Sequence, residues 1–434
     1  MISTKVMHRW AAAIFVSVFL IKAIALFVVL PALTDSLSTK YGMSFADDYD
    51  RLAASLAQGE GYRFRTDLGE TAMREPGYPM FLAGIFKIFG PLIEAARAAN
   101  LFLAMLIGLM VAALARKVTG NLAIGIIAAL IFWFHPGTLI AEARGGVEIL
   151  FVFFLMLFMF SLYRALDRET FKDYFVAGLV LGCVVLIRST PMLFPALLFL
   201  YLVFRADGGR HRFLVTQRIG IMVAGMAIVM APWVVRNYAL TQAFVPTATV
   251  QGVAAHTGQY ICRNMSFDRG GQEIDMDGAE VRNNIAADLG VPFERGYYQY
   301  FYDAKDEVAF NKALMKHVIA TYQQEPTLFV KCASMNLFNF WFAGKTWKVT
   351  GLNMIVQLPL LALAVVGGYL LWRRRNGEGV QILVLFVIYL YALHVAIHAQ
   401  ARYSIPLVPF LGILASVALV HLWQRIAHPP KDSK

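Results

Sequence analysis

Runs of about twenty predominantly apolar residues recur along this chain, and a helix of that length spans the hydrocarbon core of a bilayer. The first, AAAIFVSVFLIKAIALFVVL at residues 11–30, is interrupted only by Lys22. It lacks a small-residue cleavage site, so it is expected to stay as the first membrane helix. Lys22 is expected to face the bundle interior or to snorkel toward the interface. Further crossings are expected near 95–114, 121–135, 147–163, 174–188, 190–204, 219–235, 350–372, 379–397 and 405–423, with the first extending to residue 33. The chain therefore reads as an all-α polytopic membrane protein. At 59% hydrophobic and 15% charged it lies far from the roughly 25% charged residues of soluble domains.

The formal net charge is +11, but the Lys and Arg residues fall in short clusters between apolar runs. That pattern is the signature of membrane topology and gives no support to nucleic-acid binding. Placing the N-terminus inside puts Arg116, Lys117, the 164–172 cations, the 205–218 loop, Arg373 and the tail 424–434 in the cytoplasm. Two apolar stretches, PGYPMFLAGIFKIFG and PTLFVKCASMNLFNFWF, are short or punctuated, and counting the first as a crossing would push Arg116 outside. Both are expected to be re-entrant or interfacial helices. No internal repeat is visible, which removes support for an inverted-repeat transporter.

Two long polar segments, residues 34–75 and 236–326, then face outward, and acidic residues outnumber basic ones in each. The second is long enough to form a small ordered lid. Within it, Phe310, Leu314, Val318 and Tyr322 share a helical face that stops at Pro326. The three cysteines show no metal-like spacing, although Cys262 and Cys332 could pair if both meet an oxidising compartment.

The first outer segment holds the cluster Asp47, Asp48 and Asp50. Tyr49, Leu52, Ala53, Leu56 and Ala57 form one stripe of an amphipathic helix ending at Gly59, which lies along the membrane surface. The carboxylates complement the start of that helix, or they serve chemistry; spacing leaves both open. Arg74 stands just before Pro76 at the next helix start, where an anion would meet a guanidinium and free N–H groups, or where Arg74 and Tyr78 would anchor at headgroup level.

An ordered set of segments carries a resemblance. These are YDRLAASLAQGEGY, REPGYPMFLAGIFKIFG, HPGTLIAEARGGVEILFVFFL, LIRSTPMLFPALL, APWVVRNYALTQAFVPT, EPTLFV with FNFWF, and ARYSIPLVPFLGILAS. In that order they resemble the GT-C superfamily of membrane glycosyltransferases, which contains protein O-mannosyltransferases and lipid A aminoarabinose transferases. The resemblance implies a single transmembrane domain over residues 1–423, a bundle of about 10–12 helices with outer juxtamembrane helices and a small lid. It implies a polyprenyl-phosphate sugar donor, a hydroxyl acceptor on a lipid, glycan or protein, and a site on the outer face of the plasma membrane. The family's catalytic aspartate falls on Asp47 or Asp48, with Asp47 preferred; its basic residue before a Pro-Tyr-Pro turn falls on Arg74, and its second-loop glutamate on Glu148. Glu142 and Arg144 lie beside Glu148 without a family match, and Glu142 is grouped with it as a substrate or metal contact.

Arg236, just beyond a helix end, and Arg402, opening the last helix, are further candidates for the donor phosphate, each equally suited to anchoring its helix. His394 and His398 sit one helical turn apart without a third ligand, so a polar lining is the expected use. No cofactor is implied, although a divalent cation bridging Asp48, Glu148 or a histidine is compatible with the residues. A polyprenyl phosphate leaves as a stabilised anion, so one base and a cationic seat would suffice for an inverting transfer. The alternative is a transporter or flippase of lipid-linked sugars, with the same charges binding the headgroup without chemistry.

Overall fold

The computed structural model describes residues 4–29, 48–265, 271–344, 346–373 and 378–427. Asp47 and residues 34–46 of the first outer segment lie outside the described residues, as does the end of the tail. The chain runs through α1 (Thr4–Ile24, continued by a π-helical turn Ala25–Val29), α2 (Tyr49–Gln58), α3 (Gly77–Phe89), α4 (Ile93–Thr119), α5 (Leu122–Phe134) and α6 (Pro136–Ala143). It continues through α7 (Val147–Arg168), α8 (Phe171–Ile187), a 3-10 turn Thr190–Leu193, α9 (Phe194–Arg205) and α10 (Gly208–Thr241). The lid comprises α11 (Gln251–Asn264), α12 (Gly271–Asp288), a two-stranded hairpin of β1 (Phe293–Glu294) and β2 (Tyr300–Phe301), and α13 (Ala304–Gln324). Then come α14 (Pro326–Phe342), α15 (Trp347–Trp372), α16 (Glu378–Ile397), a 3-10 segment Ala401–Leu407 and α17 (Val408–Ala427).

Among the described residues, seven helical segments are long and apolar enough to cross a bilayer, or eight if α5 and α6, bent by 51°, form one broken span. This is fewer than the sequence suggests. The expected crossings at 174–188 and 190–204 fall on α8, 17 residues long, and on the turn plus α9, where Arg188, Ser189 and Pro191 interrupt the apolar run. The stretches expected to be re-entrant or interfacial become α3 and α14, at 13 and 17 residues.

Packing follows the rule that membrane helices approach through small residues. A Cβ at Gly178 of α8 would lie 2.0 Å from the Met222 carbonyl oxygen of α10, so those two backbones touch there. The bundle interior is filled by rings meeting edge to face, Phe158 on Phe194 at 6.0 Å, Phe194 on Phe386 at 4.9 Å, and Phe386 on Phe410 at 5.6 Å. One end of the bundle gathers the short-loop cations, where Lys117 meets Asp167 at 2.5 Å, Arg164 meets Asp173 at 2.6 Å and Arg218 meets Glu169 at 3.1 Å.

The break between α5 and α6 has a clear cause. Pro136 offers no N–H, and His135 Nδ1 accepts the Gly137 N–H at 3.1 Å, so the last α5 carbonyls lose helical partners. Thr138 Oγ1 donates to the Phe132 carbonyl at 2.8 Å, and Lys22 Nζ donates to the Trp133 carbonyl at 3.1 Å. Lys22 also donates to Glu142 Oε1 at 2.7 Å, with both side chains fully buried. Lys22 thus faces the bundle. Losing one partner of such a pair typically costs about 3–5 kcal/mol, because the other charge is left buried and alone.

At the opposite end, α2 buries Tyr49, Leu52 and Ala53, as its stripe predicts. It ends at Gly59, whose φ of 79° lets its N–H reach the Leu56 carbonyl. The lid has its own small core of Val253, Ala286, Phe301, Phe310 and Leu314, with Phe293 paired opposite Phe301 in the hairpin. Phe310, Leu314 and Val318 of α13 are buried together, and Pro326 opens the next helix. Several connections hold the lid down, a disulfide and a buried carboxylate among them. Cys262 of α11 and Cys332 of α14 are disulfide-bonded across 70 residues, worth about 4 kcal/mol in the chain-entropy limit. Glu307 of α13 is fully buried and accepts from Thr71 Oγ1 at 2.5 Å, the Ala72 N–H at 2.9 Å and Thr249 Oγ1 at 3.3 Å.

Alkylation of the intact, unreduced protein is expected to label Cys183 alone, and reduction should add two further labels by mass spectrometry. Burial lifts the Glu307 pKa from 4.5 to about 7, against the opposing pull of its three donors and Arg236. The folded lid therefore holds this proton more tightly than the unfolded chain does. Its stability should fall as pH rises from 4.5 to 7, by on the order of 3 kcal/mol, and then level off. Glu307→Gln, which mimics the protonated form, should flatten that slope in thermal unfolding followed from pH 5 to 8.

Candidate active site

A cavity of about 180 Å³ opens where the lid meets the bundle. Four stretches of chain wall it. The first loop brings Tyr49, Arg74 and Glu75; the end of α8 brings Arg188, Ser189 and Thr190; the segment after α16 brings His398, Gln400, Arg402 and Tyr403; the lid brings α11 and the Tyr297–Tyr298 turn. Each arginine stands at a helix end. Arg74 lies just before α3, Arg188 is the C-cap of α8, and Arg402 follows α16 within the 3-10 segment.

Aromatic rings hold these cations. The Arg74 guanidinium is 4.4 Å from the Tyr298 ring centroid and 5.6 Å from that of Tyr49. Arg188 and Arg402 both approach Tyr403, at 5.7 and 5.2 Å. Glu148 Oε1, in the first turn of α7, meets Arg188 at 3.2 Å and is nearly buried. Glu75 Oε1 accepts the Ser189 N–H at 3.3 Å, while Tyr62 Oη donates to the Arg74 and Glu75 carbonyls. His398 lies 3.1 Å from the Gln400 amide, and burial, with Arg402, His394 and Arg282, holds its pKa down to about 3. It is neutral at ordinary pH and lines the wall as a hydrogen-bonding ring. Such a cavity can seat a small anion against fixed cations in low-dielectric surroundings, the arrangement that stabilises a departing phosphate.

The sequence candidates distribute unevenly. Arg74 and Arg402 come together in the cavity. Asp48 adjoins it, in a left-handed conformation (φ 56°) before Tyr49, with Oδ2 accepting from Tyr300 Oη of the lid at 2.5 Å and Oδ1 3.5 Å from Arg51. Burial first and the Asp48 charge second raise the pKa of Asp50. Glu148 reaches the site through Arg188. Two candidates are placed elsewhere. Arg236 stacks on Trp233 at 4.6 Å, donates to the Thr71 carbonyl at 2.9 Å and meets Glu70 at 3.5 Å, so it braces the first loop. Glu142 is occupied by Lys22 inside the bundle, because a carboxylate in hydrocarbon must be paired. Among the described residues, no three His, Cys, Asp or Glu side chains cluster as metal ligands, and His394 instead directs Nδ1 to the Leu390 carbonyl.

Sequence reasoning assigns no role to Arg188 or Glu75. Their signals are present, since Arg188 is a charged residue closing an apolar run and Glu75 sits between Arg74 and a helix-opening proline.

A cavity walled by three arginines lies at the lid end of a helical membrane-protein fold, and comparisons of the sequence and the fold with known proteins point to a related set of proteins. Residues 73–235, which contain Arg74, Glu148 and Arg188, match the family described as dolichyl-phosphate-mannose-protein mannosyltransferase. The fold resembles an oligosaccharyltransferase of Archaeoglobus fulgidus in its apo form, with a TM-score of 0.57 and 15% identity over 96% of this chain and 52% of that one. It also resembles the archaeal oligosaccharyltransferase AglB from Archaeoglobus fulgidus, solved with an inhibitory peptide and a dolichol-phosphate. There the TM-score is 0.54 with 13% identity over 98% of this chain and 52% of the other. The chain spans about half the length of these structures. No curated protein matches it by sequence.

Arg188→Ala should weaken inorganic-phosphate or phosphonate binding about tenfold or more, the loss of a charge-assisted contact, whereas Arg236→Ala should leave binding within about threefold and lower the melting temperature. Competition binding and thermal unfolding on the same preparations read both effects.

Proposed function

We propose that this protein is an inverting glycosyltransferase, moving a sugar from a polyprenyl monophosphate donor to an acceptor hydroxyl on a lipid, glycan or protein. The observation that carries this reading is the convergence of Arg74, Arg188 and Arg402, from three distant parts of the chain, on one cavity at the lid end of the bundle. Three arginines against Glu75 and Glu148 leave one net positive charge, which suits the single negative charge of a sugar phosphodiester. In this reading Arg74, Arg188 and Arg402 hold the phosphate, and Arg236 braces the first loop.

In this mechanism the acceptor hydroxyl loses its proton to an aspartate, Asp47 or Asp48, and attacks the anomeric carbon in line, inverting it. The C–O bond to the phosphate breaks, and the arginines receive the anion, a contribution of about 3–4 kcal/mol for fixed charges in such a site. Asp48, one of these two candidates, is tied to the lid through Tyr300. The paired Cys262 and Cys332 and the cation-rich opposite end support an orientation with the cavity on the oxidising, outer face of the plasma membrane.

Purified protein supplied with radiolabelled polyprenyl-phosphate sugars and candidate acceptors tests the reading. Arg74→Ala, and either Asp47→Asn or Asp48→Asn, should lower kcat by about 100-fold or more. Undiminished transfer in both aspartate variants would remove the base, and sugar-lipid translocation in vesicles without transfer would favour a flippase instead.

A further inference from the structure

We propose that Lys22, in the middle of the first membrane helix, is a positioning residue for the phosphate seat, acting through Glu142 and the turn 143–146 on the Glu148–Arg188 pair. The inference rests on the reading of the cavity given above. Lys22 touches nothing in the cavity, yet among the described residues it is the sole hydrogen-bonding partner of the Glu142 carboxylate: Oε1 takes the Lys22 bond and Oε2 has none. Lys22 also occupies the Trp133 carbonyl at the break before α6. One ammonium group therefore ties the last turn of α5 to the last turn of that eight-residue helix.

The turn that follows is held at three of its carbonyls. Arg97 Nε donates to Ala143 at 2.7 Å, Tyr78 Oη donates to Gly145, and Asn100 Nδ2 donates to Gly146 at 3.1 Å. Glu148 folds back onto this turn so closely that a Cβ at Gly146 would stand 2.5 Å from Glu148 Oε2 and 3.1 Å from the Ala141 carbonyl oxygen. Any rotation of α6 released by losing Lys22 is thus delivered to the Glu148 carboxylate, and from there to Arg188 at 3.2 Å. Among the described side chains of the first helix and its π-helical turn, Val18, Lys22 and Leu26, spaced one turn apart, are the buried ones, so this seam joins the first helix to the bundle.

Equilibrium binding of farnesyl phosphate in detergent micelles, with thermal unfolding on the same samples, tests the proposal. Lys22→Met should weaken binding about tenfold and Lys22→Arg should restore it to within about threefold, the range of coupling through packed networks. In a Glu148→Gln background, Lys22→Met should add less than about twofold, since the path is already cut. Losses that multiply in the double variant would overturn the proposal. Should Lys22→Met fail to fold, Lys22→Met with Glu142→Leu leaves no lone buried charge. That pair should melt as the wild type does and still bind about tenfold more weakly; wild-type binding would overturn the inference. A wild-type protein that does not bind farnesyl phosphate at all would overturn the phosphate seat itself, and the inference with it.

Discussion

Hydrocarbon does not tolerate an unpaired charge, and this exclusion shapes the whole molecule. The three cavity arginines all stand at helix ends: Arg74 before α3, Arg188 at the end of α8, and Arg402 at the start of the last long apolar segment. Lys22, a cation deep in the first span, is matched by Glu142 and by a carbonyl that a proline break sets free. A site made of helix ends becomes one site only when those ends are brought together. Close backbone contact, such as that of Gly178 with α10, sets where the end of α8 and its Arg188 emerge.

The cavity is balanced rather than simply basic. Tyrosine rings lie over its guanidiniums, Glu148 offsets Arg188, and burial beside Arg402 keeps His398 neutral. The result is a modest positive seat that can take up an anion and release it, which a more highly charged pocket would retain. The lid completes this seat with Tyr297 and Tyr298, and it is held at its base by the Cys262–Cys332 bond and by Glu307. It is therefore as much a wall of the site as a cover over it.

Much of this was legible in the residues. Apolar run length and the spacing of cations gave an all-helical membrane protein with its polar segments at one end, and the amphipathic stripe of α2 and the buried face of α13 follow directly from periodicity. Arg74 and Arg402 were visible because a cation beside a helix end is a local feature. The number of full crossings was less so, since Arg188, Ser189 and Pro191 divide one apolar region into pieces whose lengths only the packing defines.

What the sequence determined by itself was the solvent this chain needs, the helices it makes and the ends at which charge can survive, because each depends on composition within one or two turns. What only the tertiary structure decided was partnership. Arg188 meets Glu148 across 40 residues, Lys22 meets Glu142 across 120, and Arg236 turns to the Thr71 carbonyl across 165. Each pairing is fixed by where distant helices cross, so an arginine that braces a loop and one that lines a cavity carry the same local signature and are separated only by the fold.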